Sequence, residues 1–204
     1  MTSPIATPEA KNPLEKPEPL EIFVEQMTLY HGSATPGIDQ LIAAENDTVG
    51  KGSYFVDIPE DAEGYAMRSS KRDHRHRIGV VYEAELSDAR ICNLDNPEKL
   101  AEIMDGYSQD LKHLLLLNPD MSWIRRGVID YALEAISKKV EPGSVKLATQ
   151  NNGRLFSEYL KDLGYDGLKT REGGEPPYVG PHHTYLIFDP DKVQLISEKA
   201  LTQS

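Results

Sequence analysis

Two short stretches of this chain carry residue types that could do chemistry on a small molecule. Leu29-Tyr30-His31-Gly32-Ser33 offers, in succession, an imidazole, a bare backbone at Gly32 and a hydroxyl at Ser33. Further on, Gly50-Lys51-Gly52-Ser53-Tyr54-Phe55-Val56-Asp57 sets an aromatic ring just past two glycines, and another ring, Tyr65, follows on a segment that reads as helix. Each stretch looks like a strand end breaking into a glycine-containing turn, which brings backbone close to a ligand. A flat, polar, aromatic ligand needs such a set: rings to stack on, amide groups for edge-on hydrogen bonds, and a histidine to hold a sugar hydroxyl.

Toward the C-terminus, Gly164-Tyr165-Asp166-Gly167-Leu168 and Tyr185-Leu186-Ile187-Phe188-Asp189 add two further motifs in order. Together the four resemble the NAD-binding core of poly(ADP-ribose)-polymerase-like ADP-ribosyltransferases, in versions found in phage and bacterial polyvalent proteins and effectors. The resemblance covers roughly residues 27–197. It implies an α+β fold: a split, mixed β-sheet core with an NAD cleft between its halves, flanking helices and a helical insert. It also implies roles. The Gly32 backbone would pair with the nicotinamide carboxamide and Ser33 would add a bond there. His31 would hold the adenosine ribose, Gly52 would let the chain approach the ligand, and Tyr54 and Tyr65 would sandwich the nicotinamide ring.

The family's glutamate, just before the Tyr of the last motif strand, is Thr184 here. Threonine can hydrogen-bond a ribose hydroxyl but brings no negative charge and is a poor base near pH 7. Members lacking this glutamate are mono-ADP-ribosyltransferases or inactive homologues. The charge would then come from the acceptor, or from Glu172, Glu175 or Asp166 swinging in; otherwise NAD⁺ is bound without turnover. The function implied is mono-ADP-ribosyl transfer from NAD⁺ to a macromolecular acceptor, most simply a protein. The alternatives are an inactive NAD- or ADP-ribose-binding homologue and an NAD⁺ glycohydrolase. NAD⁺ is a co-substrate in this scheme and no metal is required. His74-x-His76 lacks any carboxylate or cysteine pattern that would make it a metal site, and no Gly-x-Ser-x-Gly or His-Glu-x-x-His motif points to a different hydrolase.

The elements that must position these residues follow from pattern. Residues 1–20, rich in Pro, Glu and Lys, have little to bury and read as a disordered tail, either a solvated linker or a secretion or chaperone-binding segment. Residues 21–204 form the domain. Pro59, Glu60 and Asp61 open a helix bearing Tyr65. Residues 78–86 alternate as a strand. Helices over about 96–117 and 122–139 form the insert (about 96–140), in which His113, Trp123 and Tyr131 read as packing residues. A short helix over 154–163 ends at Gly164, and strands over 168–170, 184–188 and 193–196 close the sheet. The 171–183 loop, dense in Gly and Pro, is either an acceptor-contacting loop or a stiff hairpin connection. The basic cluster of Arg68, Lys71, Arg72, His74, Arg75, His76 and Arg77 faces a pyrophosphate or an acidic partner, or else caps the helix in solvent.

The 204 residues carry a net charge of −11, which argues against general nucleic-acid binding. No apolar run approaches a membrane span, and the start lacks a secretory pattern. Cys92 is alone, so no internal disulfide forms. The expected setting is the cytoplasm, or the cytosol of a target cell reached as a delivered effector.

Overall fold

Two long strands, Glu21–Ser33 (β1) and Val80–Asn93 (β3), pair antiparallel along almost their whole lengths, from Glu21 opposite Cys92 to Ser33 opposite Val80. A computed structural model describes residues 19–41, 51–72, 78–172 and 181–201. Residues 1–18 of the expected tail, most of the basic cluster and Glu175 lie outside the described residues.

The fold is α+β, with, among the described residues, one six-stranded mixed sheet and helices packed on it. Beside β1 and β3 stand Ser53–Val56 (β2), Gly167–Glu172 (β4), His182–Ile187 (β5) and Val193–Ala200 (β6). One half of the sheet is β6-β3-β1 and the other is β2-β5-β4. They are joined at two seams. At one, β3 and β4 run parallel from Ile91 opposite Gly167 to Asn93 opposite Lys169. At the other, β1 and β2 share the single pair Tyr30 and Val56. The expected split is therefore a difference in seam strength, with hydrogen bonds at both ends. Leu29, Phe55, Leu86, Ile91, Tyr185 and Ile187 form a buried cluster from strands of both halves.

Four strands differ from their sequence pattern, β6 by running on from the expected 196 to Ala200. β3 runs on to Asn93, well past the alternating stretch, because β1 supplies partners beyond Leu86. Ser87, Asp88 and Arg90 hid that extension, which passes an irregular point where Asp88 takes φ 47°. β4 and β5 continue as a ladder through Arg171 opposite His183 and Glu172 opposite His182, so both ends of the expected 171–183 loop are strand.

Helix α1 (Pro59–Arg72) starts with Pro at its first position and acids in its first turn. It lies on the face of β1 bearing Tyr30 and Gly32, where Ala62, Ala66, Val56 and Val81 form a small core. A larger core gathers four helices on the sheet's other half: α2 (Pro97–Leu117), α3 (Trp123–Ser137), α4 (Val145–Thr149) and α5 (Gly153–Asp162). Asn96 caps α2 by accepting the Glu98 and Lys99 amides, and Gly164, at φ 81°, ends the α5 segment in the left-handed conformation that glycine adopts freely. α4 has no clear sequence signal, being only five residues long. Trp123 and Tyr131 are 82% and 48% exposed, a correction to their expected packing role, and His113 is also exposed. The buried residues of α3 are Ile129 and Ala132, and neither aromatic ring falls on that stripe.

The start of β1 is anchored electrostatically. The Glu21 carboxylate accepts from the Tyr165 hydroxyl at 2.7 Å, from Lys99 Nζ at 3.2 Å and from the Arg90 guanidinium at 3.1 Å. The Tyr165 hydrogen bond is the strongest influence holding Glu21's pKa below its ordinary 4.5, against burial that raises it, with Lys99 and Arg90 assisting. Such a carboxylate stabilises the fold above its unfolded pKa, and that contribution is lost as pH falls through the depressed folded value. Glu21→Gln is expected to cost about 1–2 kcal/mol, the site being partly open to solvent. Thermal melts at pH 7 and pH 3 test this: the gap between variant and wild type should shrink at the lower pH.

Candidate functional site

β1 and β2 part immediately after Tyr30 and Val56. Continuing that antiparallel register would set Gly32 opposite Tyr54, yet the two strands share no pair there. A cavity of about 570 Å³ opens at this weak seam, within the usual range for small-molecule sites. Its walls bring together His31, Gly32, Gly52, Tyr54, Tyr65 and Thr184. These come from β1, the start of β2, α1 and β5, so segments distant in sequence converge on one space.

His31 bridges the parted strands. Its Nδ1–H donates to the Tyr54 carbonyl at 2.7 Å, which fixes the tautomer because a carbonyl can only accept. Nε2 is then left as an acceptor. The ring packs edge-on to Phe55, with centroids 5.9 Å apart. Burial is the main influence and lowers the imidazole's pKa below its usual 6.5, although the Tyr54 bond works the other way. His31 is thus neutral at pH 7.

The glycines serve close packing. A Cβ on Gly32 would lie 2.1 Å from the Ala62 carbonyl oxygen and 2.9 Å from Tyr65 Cβ, so α1 rests directly on the strand. A Cβ on Gly52 would meet the Ile187 carbonyl oxygen of β5 at 2.4 Å. Ser33 does not line the cavity; its Oγ accepts the Thr35 amide at 3.0 Å.

Tyr65 is tied by its hydroxyl, which donates to Glu172 Oε2 at 3.2 Å and lies 2.8 Å from His182 Nε2. With the phenol proton directed to Glu172, His182 Nε2–H donates to the Tyr65 oxygen. Burial, and next the Glu172 charge, push the phenol's pKa far up, so it stays protonated and can donate. The ring meets His182 edge-on at 5.4 Å. Glu172, at the end of β4, also lines the cavity.

On the walls, Ser53 Oγ is buried and has no hydrogen-bond partner, and Thr184 Oγ1, equally buried, stands beside the Tyr65 hydroxyl. Buried polar groups almost always find partners, so orphans facing a cavity mark places where a ligand's polar atoms fit. Thr184 itself is 3% exposed. Among the described residues, no group of three or more His, Cys, Asp or Glu side chains could hold a metal.

No protein-family model matches this sequence, and no curated protein does. Among solved structures, the chain is similar to the M. tuberculosis MbcT–MbcA toxin–antitoxin complex, with a TM-score of 0.45 and 10% identity over 88% of this chain and 86% of that one.

Not every candidate reaches the cavity. Asp166 sits at the opposite end of β4, where its carboxylate accepts the Arg90 amide at 2.8 Å and lies 3.9 Å from Lys192. It is a turn anchor. Glu172, by contrast, enters the site through strand pairing with β5, and sequence offered no way to rank it above its neighbours.

Gly32→Ala tests the packing. The added methyl must displace α1 backbone, so a loss of about 1–3 kcal/mol is expected from overpacking. Urea unfolding measures it, and an unchanged midpoint would mean that α1 does not rest on the strand.

Proposed function

We propose that this chain cleaves the nicotinamide–ribose bond of NAD⁺ and passes ADP-ribose to a protein acceptor. The observation that carries this reading is the convergence of His31, Gly32, Gly52, Tyr54, Tyr65 and Thr184 on one cavity, with the buried, unpartnered Ser53 hydroxyl on its wall. All but Thr184, which stands where the family has its glutamate, are residues through which the sequence resembles the poly(ADP-ribose)-polymerase-like ADP-ribosyltransferases.

The parts fit the chemistry. A neutral His31 offers Nε2 to a ribose hydroxyl, and an imidazolium would offer only donors. The half-buried Tyr54 ring on the wall provides a stacking surface, worth roughly 0.5–1.5 kcal/mol beyond area burial for an aromatic pair. Thr184 Oγ1 can bond the nicotinamide ribose. Holding the sugar between these groups presents its anomeric carbon for attack while nicotinamide departs with the bonding electron pair. Because Thr184 is uncharged, the same residues also suit a module that binds NAD⁺ without cleaving it.

Nicotinamide release from NAD⁺, alone and with cell lysate, separates the outcomes. Lysate-dependent release with a labelled protein indicates transfer. Lysate-independent release indicates hydrolysis or self-modification, and saturable binding without release indicates the binding module. Tyr54→Ala and His31→Ala are each expected to lower release by about tenfold or more, the equivalent of one or more lost contacts. Release unchanged in both variants would sink the reading.

The pH dependence has a definite sign. NAD⁺ affinity should be flat above pH 6.5 and fall only below it, as His31, with its lowered pKa, finally takes up a proton and Nε2 ceases to accept. Proton uptake also favours the unfolded chain in that window, so stability should decline with it. Calorimetric titration from pH 5 to 8 measures the first effect, and thermal melts over the same range the second.

A further inference from the structure

Cleaving a glycosidic bond to a cationic nitrogen builds positive charge on the ribose, and a nearby carboxylate lowers the cost of that charge. Thr184 cannot supply one. Among the described residues, Glu172 is the one carboxylate that lines the cavity. It reaches the site by strand geometry. Thr184 of β5 pairs with Thr170 of β4, and Glu172 pairs with His182, so Glu172 and Thr184 are diagonal neighbours on one sheet face. Long side chains span such a diagonal, a separation of about 7–8 Å.

Glu172 is also held in place. The protonated Tyr65 hydroxyl donates to Oε2 at 3.2 Å. His182, whose side chain is 2% exposed, supports that phenol from behind at 2.8 Å. The Glu172 side chain is 25% exposed and lines the cavity.

We infer that Glu172 is the catalytic carboxylate of this site, relocated from β5 to β4 and aimed by Tyr65. The inference rests on the NAD⁺ reading given above. In the step proposed, the C1′–N bond breaks and its electron pair leaves with nicotinamide, quenching the pyridinium charge. An acceptor hydroxyl or water gives a lone pair to C1′, forming the new C1′–O bond. The proton of that oxygen passes to a Glu172 oxygen and then to solvent. Thr184 Oγ1 holds the ribose alongside. Tyr65 is therefore a positioning residue through its hydroxyl as well as a wall through its ring.

The test measures NAD⁺ affinity by calorimetry and nicotinamide release for wild type, Glu172→Gln and Tyr65→Phe, with thermal melts to verify folding. Glu172→Gln should cut release by about 10²–10⁴-fold, the usual size of a lost general base, with affinity within about threefold of wild type. Tyr65→Phe keeps the ring and removes the donor, so release should drop about tenfold, as for one hydrogen bond, with affinity again unchanged. Should Glu172→Gln fail to fold, Glu172→Ala with added formate carries the same test. Formate restores release only where a carboxylate is what is missing. Wild-type release by Glu172→Gln, or affinity and release falling by the same factor, would overturn the assignment of Glu172 and leave the NAD⁺ reading standing. A wild-type protein that binds NAD⁺ yet never releases nicotinamide would also overturn it, leaving a binding module. A wild type that neither binds NAD⁺ nor releases nicotinamide would remove both.

Discussion

The close approach of α1 to β1 at Gly32 is the constraint on which the site depends. With a Cβ on Gly32 expected 2.1 Å from the Ala62 carbonyl oxygen, any other residue there would lift the helix. Because the helix lies flat, Tyr65 projects to the end of the β4–β5 ladder and meets Glu172 and His182. One missing side chain on a strand therefore fixes where a phenol sits on a helix, and the phenol fixes a carboxylate two strands away. Each link is a steric or hydrogen-bonding necessity.

The second constraint is the weak seam. A single β1–β2 pair holds the two half-sheets at this corner, while β3 and β4 hold the opposite one with a parallel ladder and the Glu21 anchor. Closing both seams fully would give a filled barrel with no place for a ligand. Here His31 substitutes a side-chain hydrogen bond to Tyr54 for the backbone pairs that are missing. The same bond dictates the tautomer, so the residue that holds the seam open is also set to accept from a hydroxyl.

Most of this was legible where the information is local. Asn96-Pro97 and Ser122 mark helix starts because their side chains cap neighbouring amides, and both helices begin there. The His31–Ser33 and Gly52–Tyr54 stretches carried their residue types in order, and the cavity gathers them, Ser33 excepted. What stayed hidden was relational. Ser87, Asp88 and Arg90 of β3 interrupt its apolar pattern, and that stretch is strand because β1 lies beside it. Glu172, Glu175 and Asp166 were equivalent as carboxylates near a predicted strand. The β4–β5 register separates Glu172 from Asp166, sending one to the cavity end of the hairpin and the other to the turn. Trp123 misled for a different reason: its size suggested burial, and its position on the helical wheel decided otherwise.

The two faces of β5 divide the labour at this end of the sheet. Thr184 lines the cavity with His182 on the same face of the strand, and His183, between them, points the opposite way. There it lies 3.5 Å from Asp57 and 3.6 Å from Asp95, while Lys169 stands 3.6 Å from the same Asp95. Asp95 is almost wholly buried, and Lys169 brings a positive charge toward its carboxylate. Asp57 follows β2 and Asp95 follows β3, so the cluster ties both strands to the β4–β5 hairpin from behind. The two strands that present Glu172 and Thr184 on one face are thus backed by this polar cluster on the other. The register at Glu172 and Thr184 is itself kept by the β4–β5 ladder, although the seam in front of them is nearly open.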